Sequence, residues 1–189
     1  FLLANGALGS PDEYEIRKNL IENDKVEAIF VLPREMFYST DISVTLWILN
    51  NNKRERTLNN RELRNRENEV LFVDLRTWNN LIYEKSYVMF DEETIQKIKK
   101  IYTDWQSPNC PEKYEKPELY RSVKKAEIVQ KGYTLVPSKY IEFVDKDLNI
   151  NYEEEMSKIQ KEMQNILTKE QKSQEMLKSA FEGIGYAIK

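Results

Sequence analysis

The sequence predicts an α/β fold: a sheet covered on both faces and containing an antiparallel strand, followed by an α-helical C-terminal extension. Three observations carry this. Residues 26–32 and 44–49 are near-continuous apolar runs, the pattern of strands buried on both faces. A helical segment precedes the first run, and the stretch 33–41 between the two runs is too short for a crossover helix, so the two strands are antiparallel neighbours. From about Tyr152 the composition turns to Glu, Lys and Gln with apolar residues at three-four spacing, as in a long polar helix.

Residues 1–4 read as the tail of a strand, with Asn5-Gly6 as its turn. Ser10 is expected to N-cap the first helix, with Pro11 at the first helical position and Glu13 completing a capping box. Ile16 and Leu20 share a face of that helix, and Asn23-Asp24 end it. Residues 50–68 interleave Lys53, Arg54, Arg56, Arg61, Arg64 and Arg66 with Asn, Glu and Thr, and read as an exposed connection. Residues 70–76 form another strand. Asp91 N-caps a helix whose apolar face is Ile95, Ile98, Ile101, Tyr102 and Trp105. Residues 106–117, with three prolines, are loop; Ser122 caps a short helix ending at Gly132; residues 133–140 are extended. In the last helix Met156, Ile159, Met163 and Ile166 form a stripe that resumes at Leu177, Ala180 and Ile184. The expected division is a globular part, 1–145, and a helical tail, 146–189.

Composition removes several classes of function. With 29 basic and 32 acidic residues the net charge is −3, so there is no global basic field, and any nucleic-acid contact must come from a local patch or a partner. The absence of histidine excludes Ser-His and Cys-His nucleophile pairs and imidazole-ligated metals, and the single cysteine, Cys110, excludes an internal disulfide and a thiolate zinc cluster. No metal site is expected. No apolar run reaches membrane-spanning length and no signal peptide is visible, so a cytoplasmic protein without membrane contact is expected. No Walker motif is present, and no glycine-rich turn is expected between a strand and a helix; Gly183-Ile184-Gly185 follows a helix and reads as its stop. The chain opens with Phe1 inside an apolar run, which reads as a fragment of a longer protein.

One ordered set of segments carries a resemblance. It comprises Leu2–Ala4 with Asn5-Gly6; Glu15-Ile16-Arg17-Lys18-Asn19-Leu20; Val31-Leu32-Pro33 with Phe37-Tyr38-Ser39-Thr40; and Leu71-Phe72-Val73-Asp74. It continues with Glu92-Glu93-Thr94-Ile95-Gln96-Lys97-Ile98 leading to Trp105, and with Gly132-Tyr133-Thr134-Leu135 before Pro137-Ser138-Lys139-Tyr140. In this order, over most of residues 1–145, the set resembles the modification subunits of type I restriction–modification systems, which are adenine-specific DNA methyltransferases. Ala4 stands where that family usually has proline, and residues 7–10 replace an aromatic-containing turn.

The resemblance implies the C-terminal part of an S-adenosylmethionine-dependent (Rossmann-like) methyltransferase sheet. The parent protein would move a methyl group from S-adenosylmethionine to the exocyclic amine of adenine in DNA, in company with a specificity subunit that chooses the site and a restriction subunit. The family's catalytic Asn/Asp-Pro-Pro-aromatic turn is absent here, since no two of the six prolines are adjacent, so no catalytic residue is assigned and the chain alone is expected to be inactive. By position the resemblance makes Phe37, with Tyr38, the aromatic that stacks on a flipped adenine; plain packing is the alternative. Lys53, Arg54 and Arg56 are candidate contacts to the DNA backbone, although Glu55, Glu62 and Glu67 dilute the stretch and favour a solvated loop. Met156, Ile159, Met163, Ile166 and Leu177 are the candidate docking surface for helices of another subunit, against the alternative that the helix folds back. The rival reading of the whole chain is a non-catalytic helical module that dimerises or binds a partner.

Overall fold

The computed structural model describes residues 1–37, 41–78, 81–84, 87–144, 152–183 and 185–186. The chain divides into two compact units, Phe1–Val144 and Asp145–Lys189.

The first unit is built on a six-stranded sheet. Its strands are β1 (Leu2–Ala4), β2 (Val26–Val31), β3 (Val44–Leu49), β6 (Glu69–Asp74), β9 (Glu115–Lys116) and β10 (Tyr120–Lys124), in the spatial order β1-β3-β2-β6-β10-β9. Strands β2 and β6 are parallel, and β3 lies antiparallel between β1 and β2. Two hairpins stand outside this sheet: β4 (Arg56–Leu58) with β5 (Arg61–Leu63), and β7 (Leu81–Glu84) with β8 (Tyr87–Phe90). The helices are α1 (Tyr14–Glu22), α2 (Glu92–Gln106) and α3 (Lys125–Gln130) in this unit, and α4 (Tyr152–Gly183) in the second.

The apolar runs divide between two cores, one on each face of the sheet. Ile29, Val31, Phe72 and Val123 join Ile21 of α1 and Ile128 of α3. Ala28, Phe30, Leu71 and Val73 join Trp105 of α2. A bulge between Val26 and Ala28 shifts the alternation, so that Val26 packs with Ile29 and Val31. The two-faced covering is what the near-continuous apolar runs anticipate, and β3 has the bounds and the antiparallel pairing read from sequence.

Local rules were overridden at three places. Helix α1 begins at Tyr14, not at a capping box on Ser10: Ser10 Oγ accepts the amide of Asp12 at 3.2 Å, forming a local turn, and no side chain caps the helix. Its buried residues are Arg17 and Ile21, while Ile16 is exposed, because Arg17 donates to the carbonyls of Ala7 and Tyr133 at 3.2 and 3.3 Å and turns the helix onto that wall. Ser122 lies inside β10 and caps nothing; its hydroxyl accepts the indole N–H of Trp105 at 2.9 Å. Asp91, by contrast, caps α2, accepting the amide of Thr94 at 2.7 Å.

Residues 133–140 are not a strand. They cross the sheet face as a loop that ends in a 3₁₀ turn, Pro137–Lys139, and bring Tyr140 to stack on Phe72 at 4.6 Å.

Candidate functional site

Strands β1, β2 and β6 all run in one direction, so their carboxyl ends meet at one edge of the sheet. In open α/β sheets ligands bind outside that edge. A cavity of about 1050 Å³ opens there, walled by Asn5 and Gly6 after β1, Pro33 and Arg34 after β2, and Arg76 and Trp78 after β6. Asp74, the last residue of β6, is almost wholly buried and grips the Arg76 guanidinium, Nη2 donating to Oδ2 at 2.6 Å and Nε to Oδ1 and Oδ2 at 3.0 and 3.2 Å. Its hydrogen bonds to that guanidinium hold Arg76 above its ordinary basicity. On the facing wall Arg34 pairs with Asp41 at 2.9 Å. Trp78 is held edge-on against Phe90 of β8, ring centres 6.4 Å apart. Both wall guanidiniums are thus already neutralised beside an indole, a lining that suits a planar hydrogen-bonding group better than a free anion.

Phe37 sits in the loop between β2 and β3, partly buried and making a single β-bridge, three residues past the wall residue Arg34. Its loop is tied to β8 by the amide of Val88 donating to the Glu35 carbonyl at 2.7 Å. Phe37 is not among the described wall residues, and Tyr38 lies outside the described residues. Sequence reasoning passed over Trp78. The available signal was an aromatic four residues beyond the strand-end Asp74, on the edge where ligands collect.

The opposite edge of the sheet is closed by charge. Glu27, at the start of β2, is 1% exposed; it accepts Arg66 Nε at 3.0 Å and Gln106 Nε2 at 3.1 Å through one oxygen and Asn50 Nδ2 through the other. Burial first, then the Glu27 carboxylate, push the Tyr102 phenol far above its ordinary value. Glu69, at the start of β6, receives Arg64 at 2.8 Å and also Lys124. Burial alone would raise the Glu69 carboxyl, but these two cations hold it below the usual range.

This geometry corrects the reading of residues 50–68 as an exposed connection. The segment contains the β4–β5 hairpin, and it turns Lys53 and Arg66 into the interior. Lys53 cannot be a backbone contact to DNA: it is 2% exposed, and its ammonium donates to Asp24 at 2.5 Å and to the carbonyls of Val26 and Glu69 at 3.1 and 2.6 Å. Burial, outweighing the carboxylates of Asp24, Glu27 and Glu69, lowers its pKa from the ordinary value. Arg54 is on the surface but paired with Glu67 at 2.8 Å, and Arg56 lies on the hairpin beside a second cavity.

Within the second unit α4 is one helix of 32 residues with no buried side chain. Met156, Ile159, Met163, Ile166 and Leu177 are all exposed, and Leu167, Met176 and Phe181 widen the apolar stripe beyond the sequence reading. The helix ends on a Schellman arrangement, Tyr186 donating to Phe181 and Gly185, at φ 87°, to Glu182.

No group of three or more potential metal ligands occurs among the described residues, and no described helix is long and apolar enough to cross a membrane. Two glycines, Gly6 and Gly9, do stand between β1 and α1, a turn the sequence reading discounted. The turn spends its amides on itself, Gly9 and Ser10 both donating to the Gly6 carbonyl, and a Cβ on Gly9 would meet Val136 at 3.1 Å. It is therefore a packing turn rather than a cofactor cradle. With Asp74 committed to Arg76, the described residues do not by themselves fit S-adenosylmethionine.

Residues 1–149 match the family model described as N-6 DNA Methylase. The chain is homologous to methylase subunits of type I restriction enzymes. It is 28% identical to the MjaIX methylase subunit of Methanocaldococcus jannaschii over 98% of this chain and 32% of the relative. It is 30% identical to the HindI methylase subunit of Haemophilus influenzae over 98% of this chain and 39% of the relative, and so spans less than two fifths of either protein. In fold it is similar to the type I restriction–modification methyltransferase subunit from Streptococcus thermophilus, with a TM-score of 0.57 and 24% identity over 75% of this chain and 26% of that one.

Proposed function

We propose, for a chain that belongs to the N-6 DNA methylase family, that it forms part of a type I modification subunit and supplies one side of the pocket for a target adenine turned out of DNA. The whole protein would transfer a methyl group from S-adenosylmethionine to the exocyclic amine of that base. It would act in the cytoplasm, with a specificity subunit choosing the site and a restriction subunit completing the system. This stretch contributes no methyl-transfer residue of its own and is inactive in isolation. The observation that carries the reading is the open cavity at the carboxyl edge of the parallel strands, with an indole and two neutralised guanidiniums on its walls.

In this reading Phe37, with Tyr38, stacks on the extruded base, which needs an aromatic face to replace the one it leaves in the duplex. Replacing Phe37 by alanine in the full-length protein should lower the methylation rate at least tenfold while subunit assembly is unchanged. Normal turnover would remove Phe37 from the base site.

A second role is favoured by α4. A stripe of exposed methionine, isoleucine and leucine along 32 residues is more apolar surface than an isolated helix keeps in water. Met156, Ile159, Met163, Ile166 and Leu177 would dock on helices of the specificity subunit. Met163→Glu with Ile166→Glu should abolish co-purification of that subunit; retained assembly would return α4 to the reading of a self-associating module.

A further inference from the structure

A second cavity, of about 380 Å³, lies beneath the β4–β5 hairpin, away from the carboxyl edge. Its roof follows from strand alternation. Leu58 faces Arg61 and Arg56 faces Leu63 across the hairpin, so these four side chains share one face, and all four line the cavity. The turn between them, Asn59-Asn60, has φ of 51° and 60°, the left-handed pair that a two-residue hairpin requires. The floor is Glu27, Asn50, Tyr102 and Gln106, with Ile48 beside them.

The ion pairs are unevenly shared. Residues 50–68 carry six cations. Lys53 is held by Asp24 at 2.5 Å, Arg54 by Glu67 at 2.8 Å, Arg64 by Glu69 at 2.8 Å and Arg66 by Glu27 at 3.0 Å. The two left without a carboxylate among the described residues are Arg56 and Arg61, the two that roof the cavity. The floor does not compensate them, because Glu27 already serves Arg66, Gln106 and Asn50. Arg56 Nε is buried without an acceptor, a state that native proteins rarely leave unexplained. Leu58, in the roof, is still 48% exposed, so the hairpin does not close on its floor.

We propose that this cavity binds a phosphate group, its oxyanion taken by the paired forks of Arg56 and Arg61 and by the amides of Asn59 and Gln106. Two guanidiniums match the charge and geometry of a phosphate, and Leu58, Ile48 and Tyr102 offer apolar surface to whatever carries it. The phosphate comes either free, as inorganic phosphate or a phosphomonoester, or from the DNA backbone. Phe37→Ala removes an aromatic from the other edge and leaves this site intact, so failure here and failure of the base-pocket reading are separable.

The test is calorimetric titration of inorganic phosphate into the full-length protein at low ionic strength, alongside binding of a duplex without target sites across a salt series. Arg61→Gln, on an exposed residue, decides the outcome even where Arg56→Gln impairs folding, and Lys97→Gln, an exposed cation outside the cavity lining, is the control. A free-phosphate site shows saturable binding weakened at least tenfold by Arg61→Gln and unchanged by Lys97→Gln. A backbone site shows instead a salt slope that is shallower by about 0.9 for each DNA phosphate no longer neutralised. If Arg61→Gln alters neither measurement, the proposal is overturned.

Discussion

The two edges of the central sheet use the same kinds of side chain to opposite ends. At the amino edge Glu27, Glu69, Lys53, Arg64 and Arg66 interlock, with Arg66 fully buried and Glu27 nearly so. At the carboxyl edge Asp74–Arg76 and Arg34–Asp41 flank an open cavity, with Arg76 half exposed and Arg34 largely so. A buried ion pair adds little net stability but is costly to break, since the survivor is stranded in low dielectric. A pair at the rim of a cavity costs less to break and leaves its members within reach of a ligand. The amino edge is therefore the fastening of the fold, and the carboxyl edge the place where, on the proposed function, an extruded base would enter.

The sharpest way to break this contrast is at Glu27. Glu27→Ala leaves Arg66 buried without its carboxylate and should cost about 3–5 kcal/mol in chemical denaturation. A loss under about 1 kcal/mol would make the amino-edge network ornamental. Arg76→Ala strands the buried Asp74, but solvent reaches the gap through the cavity, so the cost should be about 1–3 kcal/mol. The same change should lower methylation by the full-length protein more than Glu27→Ala does once each is measured on folded protein. The reverse order would exchange the roles of the two edges.

Much of this arrangement was legible in the sequence, and what was not has a common cause. Near-continuous apolar runs announced β2, β3 and β6, and Asp91 announced α2, because burial on two faces and a local cap act within a few residues of chain. The amino-edge network was invisible. Residues 50–68 read as a solvated loop, since a lysine or arginine among Asn and Glu gives no sign that its partner lies across the fold, as Glu27 does for Arg66 or Asp24 for Lys53. Arg17 is the same case: hydrophobicity points to Ile16 and Leu20 as the inner face of α1, while two distant carbonyls set it. At the carboxyl edge the resemblance points to the loop with Phe37, while the one local sign of Trp78 is its place four residues past the end of β6 at Asp74.

Acid should separate the edges more gently. The folded pKa of Glu69 lies below its unfolded value of about 4.3. The stability it contributes is therefore complete above that value and is lost as pH falls through the folded one. Arg64→Gln removes one of the cations that depress it and should flatten the acid limb of a stability–pH curve below about pH 4. Arg34→Gln, whose partner is exposed, should leave that limb unchanged. Equal flattening by both would show that the amino edge is not distinguished by its buried carboxylate.

The smallest effect lies in one turn that faces both ways. Gly6 and Gly9 sit three residues apart after β1, and a Cβ at Gly9 would press on Val136 Cγ2 at 3.1 Å, whereas one at Gly6 would meet nothing within 4 Å. Gly9→Ala should therefore cost about 1 kcal/mol, the low end of what overpacking a filled contact demands. Gly6→Ala should leave the melting temperature unchanged, since its methyl points into open space. Gly6 nevertheless lines the carboxyl-edge cavity, and a methyl there narrows the room left for an extruded base. The contrast between edges thus reduces to two substitutions in one turn: Gly9→Ala read in stability with normal turnover of the folded protein, and Gly6→Ala read in a raised KM for DNA with normal stability. If both changes are felt only in stability, the cavity is a gap in packing and the carboxyl edge loses its claim to the substrate.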